Sequence, residues 1–249
     1  MQAYVTLTRR EMGSFFYSWI GYIVIAGAMF LMGLEFVTLL DKLQGEPTSM
    51  PLTEIFLSFC YWVIVLFSTP IITMRLFALE KYSGTFETLM TTPVSDWQVV
   101  LAKFTAAMIF YMLMWLPFLA CVLVLRYFAK GSNLLDPGTL GSTYAGIFLI
   151  GSLYMSAGCF ASSLTRSQIV AAMISFAIGL AFFLAGFMAD PMPLEQSWAG
   201  QALNCINVMN QMKDFASGVV DTRAVVFCLT TTLLFLFLAC RVIASRRWK

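Results

Sequence analysis

Few side chains in this sequence can do chemistry, and none is spaced as catalysis would need. Histidine is absent, which removes the commonest general base, the commonest metal ligand and the usual pH switch. The six cysteines, Cys60, Cys121, Cys159, Cys205, Cys228 and Cys240, form no C-x-x-C pair, and five lie in apolar runs. They read as small apolar residues, with no metal site and no redox couple. No lysine is followed by serine or threonine, so the chain lacks the P-loop that holds a nucleotide's phosphates and Mg²⁺. H-E-x-x-H and G-x-S-x-G are missing too. Glu35 is the only acid well inside an apolar run. It lies ~24 Å along a helix from Trp19, close to an interface, and reads as a hydrated or locally paired residue there, the alternative being a role in a substrate or proton path. A proton-driven transporter would carry several acids or histidines at membrane depth. Driving energy is therefore expected from outside the chain.

The remaining polar chemistry gathers in two places. On a helical wheel, Tyr4, Val5, Met12, Phe15, Phe16 and Trp19 share one face, and Gln2, Thr6, Arg9, Arg10, Gly13 and Ser14 the other. Residues 1–18 thus read as an interfacial helix lying on a membrane leaflet, with its aromatics in the headgroup layer. The second place is residues 75–98, RLFALEKYSGTFETLMTTPVSDWQ. Arg75–Tyr82 is expected to continue the preceding helix, and Ser83 and Gly84 to stop it. Thr85–Thr91 can form a short second helix, with Glu87 near its positive N-terminal end. Pro93 ends it, and Ser95 and Gln98 form an S-x-x-Q capping box that starts the next helix. Phe86, Leu89 and Met90 are apolar and can face either a partner protein or the bundle.

The elements that position these groups follow from composition. Of 249 residues, 60% are apolar and 11% charged, against roughly 45–50% and 25% in soluble domains. A soluble interior of this size cannot hide so much apolar surface. That excludes a soluble enzyme, a disordered chain and a disulfide scaffold. With a net charge of +2 and no dense basic run, nucleic acid is excluded as a partner. Six apolar runs, approximately 19–40, 55–74, 99–125, 140–164, 169–188 and 224–242, are long enough to cross a bilayer, and none alternates as a barrel strand would. The expected fold is an all-α integral membrane protein: one transmembrane domain over residues 1–249 with six transmembrane helices. The first sixteen residues are amphipathic rather than solidly apolar, so no signal peptide is expected.

Six spans put both ends on one side. That side carries Arg9, Arg10, Arg75, Lys81, Lys103, Arg166 and the C-terminal Arg241, Arg246, Arg247 and Lys249, against Lys42, Arg126, Lys130, Lys213 and Arg223 on the other. The positive-inside rule then makes the termini and the loop at 75–98 cytoplasmic. The outer loop, residues 189–223, keeps Trp198, Leu203, Ile206, Val208, Met209, Phe215 and Val219. That is too apolar for a free loop, so short helices capping the bundle or dipping into it are expected. Ala177, Ala181, Ala185 and Ala189 recur every fourth residue in span five, and span four is rich in glycine, serine and alanine. Both patterns read as close packing of spans four and five. Pro70 and Pro117 are expected to kink spans two and three.

Glu80, Lys81, Ser83, Gly84, Thr85, Glu87, Leu89, Thr92, Pro93, Val94 and Ser95, with Lys103 entering span three, resemble the E-K-x-S-G-T-x-E-x-L-x-x-x-P-V-S stretch of ABC type-2 permeases. These are the membrane subunits of export-type ATP-binding-cassette transporters. Arg9, Arg10 and Glu11 are similar to the family's interface helix. Phe215, Gly218, Val219 and Asp221 resemble its outer F-x-x-G-V-x-D segment, and Arg241, Val242, Ser245, Arg246, Arg247 and Trp248 its C-terminal end. Within the family the chain looks closest to the gliding-motility-associated permease group. Gln211 stands where relatives of this kind carry histidine.

The resemblance implies a separate ATPase subunit that binds ATP and Mg²⁺, leaving no cofactor in this chain. Thr85–Thr91 would be the coupling helix seated in that subunit, bounded by Gly84 and Pro93. Glu80, Lys81 and Glu87 would be its polar contacts, and Phe86, Leu89 and Met90 its apolar ones. Arg9, Arg10, Phe15 and Phe16 would belong to the interface helix. A second permease subunit, identical or not, would pair with spans two and five lining the cleft. The setting would be a bacterial inner membrane, the cargo lipidic or amphipathic, and an outer-side accessory protein a possible partner. The alternative is an ATP-driven complex that extracts lipid or works mechanically on an outer-side partner.

Overall fold

The computed structural model describes residues 2–45, 53, 57, 59–86, 95–128, 137–189 and 206–246, and these are mostly helical with no strand among them. Among the described residues ten helices follow in order: α1 (Gln2–Phe16), α2 (Trp19–Gly45), α3 (Phe59–Thr73), α4 (Ala78–Ser83), α5 (Asp96–Met114), α6 (Leu116–Phe128), α7 (Pro137–Leu164), α8 (Gln168–Ala189), α9 (Val208–Ala216) and α10 (Thr222–Arg246). Six stretches are long and apolar enough to cross a membrane: Trp19–Asp41, Phe59–Ser83, Asp96–Val124, Pro137–Leu164, Gln168–Gly186 and Thr222–Ser245. The chain is an all-α, multi-pass membrane protein, as its apolar runs indicate.

Span four, α7, is the axis of the bundle, 83% buried over its most apolar window, whereas spans one and five are 22% buried. Its small residues explain this. A side chain added at Gly146 would strike Phe215 of α9, at Gly151 the ring of Tyr111 on α5, and at Gly158 Thr73 of α3. Three neighbours thus approach the α7 backbone where it has no Cβ, the membrane mode of close helix packing. The alanine stripe of span five behaves otherwise. Ala177 and Ala181 are exposed, and α8 buries Ala171, Ser175, Gly179 and Gly186 instead. The four-residue repeat therefore marks a face turned away from the bundle, not the contact with span four. Spacing shows which residues share a face but not which way that face points.

The second span is also not continuous. Its helix runs through Pro70 to Thr73, opens at Met74–Phe77 and resumes as α4. A hydroxyl from another span fills the gap. Ser162 Oγ accepts from the N–H groups of both Phe77 and Ala78 at 3.1 Å and donates to the Met74 carbonyl at 3.2 Å. A serine hydroxyl has one proton and two lone pairs, so this one is fully used. Span three breaks at Trp115, just before Pro117, where the Trp115 N–H reaches Met112 O at 3.1 Å. The Ser95–Gln98 capping box is present and starts α5.

On the opposite side of the bundle α9 lies against α7 and α8. Asn207 caps its N-terminus and donates from Nδ2 to Gly186 O at 3.4 Å. Its C-terminal carbonyls are held by Ser142, at 2.7 Å from Phe215 O, and by Thr53, at 2.6 Å from Ala216 O. Gly218, at φ +93°, ends the turn, and Asp221 Oδ1 accepts from Arg223 N at 2.9 Å as α10 begins. The F-x-x-G-V-x-D pattern is therefore a docking residue, a helix stop and a helix start. Of the outer loop, residues 190–205 lie outside the described residues.

Candidate functional site

Four of the charges that the sequence places inside or beside apolar helices meet at one point, while Glu35 lies apart, accepting from the Cys60 thiol at 3.1 Å. Lys103 is seven residues into α5, and its side chain is 1% exposed. Its Nζ lies 3.0 Å from Glu11 Oε1 on α1 and 2.9 Å from Glu80 Oε1 on α4. Arg10 Nη2 lies 2.9 Å from the same Glu11 oxygen and 3.1 Å from the same Glu80 oxygen. Two cations and two carboxylates thus join three helices, and their charges cancel. The Lys103 contacts are ionic rather than aligned hydrogen bonds, and Phe77 backs the ammonium with its ring centroid 5.5 Å away. The neighbouring Glu11 carboxylate, by direct hydrogen bonding, holds the Arg10 guanidinium above its ordinary value, with burial working against it. Lys103 could not be buried alone, because an unpaired buried charge costs several kcal/mol. The pairing holds α1 and α4 against α5.

The interface helix is placed accordingly. Its docking stripe runs through Tyr4, Leu7, Glu11 and Phe15, at helical spacing, and Glu11 is buried in it. Tyr4 donates to Thr105 Oγ1 at 3.0 Å, Phe15 stacks on Phe110 with centroids 5.0 Å apart, and Phe16 meets the same ring edge-on. Val5 and Trp19 are exposed. The face that matters is thus rotated from the apolar face of the wheel, because a paired glutamate can occupy a buried position and a wheel cannot anticipate the partner. Arg9 is exposed. At the elbow after α1, the Phe15 carbonyl sits where Gly21 would carry a Cβ. Arg75 donates to Ser18 Oγ there, tying the end of span two to the same elbow.

The residues singled out at 75–98 divide into three groups. Glu80, Lys81 and Phe86 turn inward. Lys81 donates from Nζ to the Ser163 carbonyl and lies 5.4 Å from the centroid of the Phe86 ring, which is itself buried. Gly84 and Thr85 are exposed, beside exposed Tyr82 and Ser83. Gly84 takes the left-handed conformation at φ +75° that ends α4, and the hydroxyls of Ser83 and Thr85 are 2.8 Å apart. Glu87, Leu89, Met90 and Pro93 lie outside the described residues, so the expected helix Thr85–Thr91 is described only at its first two positions.

Sequence reasoning did not single out Lys103 as a binding partner, although a lone lysine deep in an apolar run asks for a carboxylate. It also missed Ser162, for which no local signal exists.

A family model described as ABC-2 family transporter protein matches residues 35–240. No curated protein matches the chain.

Proposed function

Since the chain belongs to the ABC-2 transporter family, and is thus a membrane permease subunit of an ATP-binding-cassette transporter, we propose that it exports a lipidic or amphipathic molecule using ATP bound with Mg²⁺ on a separate ATPase subunit. The observation that carries the coupling part of this reading is the charge cluster. Glu80 sits four residues before the exposed Gly84–Thr85 edge and is clamped to Lys103 and, through it, to Glu11. Thr85–Thr91 would seat in the ATPase. Glu87, Leu89 and Met90 would make the contact, while Glu80, Lys81 and Phe86 would carry its movement inward. A displacement of α4 would then move α1 and α5 together, because separating any member leaves a buried charge unpaired.

A second permease subunit completes the pathway in this reading. The exposed Ala177–Ala181 face of α8 suits it, since small residues let helices approach closely in lipid. In this reading the chain is akin to the gliding-motility-associated permeases, which its end motifs resemble, and it sits in a bacterial inner membrane with the 75–98 side cytoplasmic. The same machinery could extract lipid or act mechanically on an outer-side partner. The α9 cap, which presents exposed Lys213 and Asp214, is the feature that favours this second reading.

The test is co-purification with the ATPase and ATP turnover of the assembled complex. Thr85→Arg and Glu87→Lys should leave membrane insertion intact and abolish assembly or stimulated turnover. Lys213→Ala on the outer cap should leave both unchanged. Normal assembly and turnover in the first two variants would make Thr85–Thr91 an ordinary connector.

A further inference from the structure

The middle of the bundle holds a second set of polar atoms that the coupling reading does not use. The hydroxyls of Tyr61 on α3, Tyr111 on α5 and Tyr154 on α7, with the indole Nε1 of Trp115, are buried. None makes an aligned hydrogen bond among the described residues, although Tyr111 lies within side-chain reach of both Tyr61 and Trp115. The four side chains are at most 2% exposed. They converge rather than scatter. The Tyr61 and Trp115 rings have centroids 5.3 Å apart, and those of Tyr111 and Trp115 are 6.2 Å apart. The Tyr61 phenol is an electrostatic neighbour of both Tyr111 and Tyr154. Gly151 makes this possible, since its missing Cβ is where the Tyr111 ring lies. Cys228, another electrostatic neighbour of Tyr61 and Tyr154, lies 3.6 Å from Gln211 Oε1 on the α9 cap.

Lipid supplies no hydrogen bonds at this depth, and buried polar groups almost always have a partner. Even where Tyr111 meets Tyr61 and Trp115, these groups have more donors and lone pairs than they can use on one another, and such a set does not pack as an apolar core would. A buried water makes about three bonds to such groups, and three phenols and an indole N–H can supply them.

We propose that Tyr61, Tyr111, Tyr154 and Trp115 form a water-binding site inside the bundle, beneath the α9 cap. The ligand is ordered water, held by phenol oxygens that both donate and accept and by an indole that donates. The site keeps a polar, exchangeable centre between spans two, three and four, where an all-aliphatic core would interlock.

X-ray radiolysis of the full chain in lipid nanodiscs tests this, because radiation converts bound water to hydroxyl radical in place. Tyr61, Tyr111 and Tyr154 should be oxidised several-fold faster than Phe110 and Phe118, which are as deeply buried but carry no hydroxyl. The double variant Tyr61→Phe/Tyr111→Phe should lose labelling at Tyr154. Tyr111→Phe alone should lower the thermal midpoint by roughly 2–4 °C, since it removes a satisfied hydroxyl. Labelling no faster than at Phe118, unchanged labelling of Tyr154 in the double variant, or a midpoint that rises in Tyr111→Phe would each overturn the proposal.

Discussion

Ser162 Oγ lies 3.1 Å from the Phe77 backbone nitrogen, across 85 residues of chain. Span two can open at Met74–Phe77 within the bundle because span four supplies the acceptor that its own helix no longer does.

Replacing that hydroxyl exposes the dependence. Ser162→Ala leaves two buried N–H groups and one carbonyl without their partner. A loss of about 1–3 kcal/mol is expected, the scale of a buried group left unsatisfied. Thermal unfolding in nanodiscs reads it, and Ser162→Thr, which keeps the hydroxyl, should recover most of the loss. A stability unchanged in Ser162→Ala would mean that the break at 74–77 is held by something else.

The charge cluster should be strongly non-additive. Lys103→Met leaves Glu11 and Glu80 with only the half-exposed Arg10, and should cost about 3–5 kcal/mol. Adding Glu80→Gln to it should cost less than the sum of the two single variants, by about 0.5–3 kcal/mol. Midpoints of the two singles and the double, measured under one condition, decide it. Strict additivity would show that the cluster does not act as a unit.

Two glycines of the same helix should respond oppositely. Gly151→Ala pushes a methyl into the Tyr111 ring, whereas Gly141 has open space around its Cβ position. The first should lose about 1–3 kcal/mol, the range for overpacking a core, and the second should be close to neutral. Equal effects would mean that Tyr111 can move aside freely.

Asp214 on α9 gives a pH dependence. Asp214 is exposed, but the protein beside its carboxyl displaces part of its water, and this, with a smaller contribution from Asp221, raises the carboxyl above the ordinary value. The folded state then holds the proton to higher pH than the unfolded state does. This contribution to stability falls as pH rises from the ordinary aspartate value, ~3.9, through the raised one. Asp214→Asn should flatten that part of the midpoint-versus-pH curve and leave the rest unchanged. A curve that keeps its slope there would assign the dependence to another group.

Much of the fold is legible in the sequence because lipid imposes a simple rule: a crossing must be a long apolar helix. The Ser95–Gln98 capping box and the Gly84 stop are local chemistry and could be read directly. The apolar content of residues 189–223 is in keeping with the docked helix α9. What could not be read depends on distant partners. The gap at Met74–Phe77 requires Ser162, the burial of Glu11 requires Lys103, and the outward turn of Ala177 and Ala181 follows from Gly179, on another face of α8, packing against the Tyr154 ring of α7. The loop at 75–98 was legible as punctuation, but nothing local told that Glu80, Lys81 and Phe86 point inward while Thr85 stays at the surface.

Ser142 and Ser162 are on one uninterrupted helix, and twenty residues of α-helix measure ~30 Å. At one end the helix grips the α9 cap; at the other it grips the open joint of span two. The two faces of the membrane are thus in mechanical register. A few degrees of tilt at the joint would reach the cap as a lateral shift without passing through any lipid-facing helix, so a lesion at either end can be answered by a change at the other.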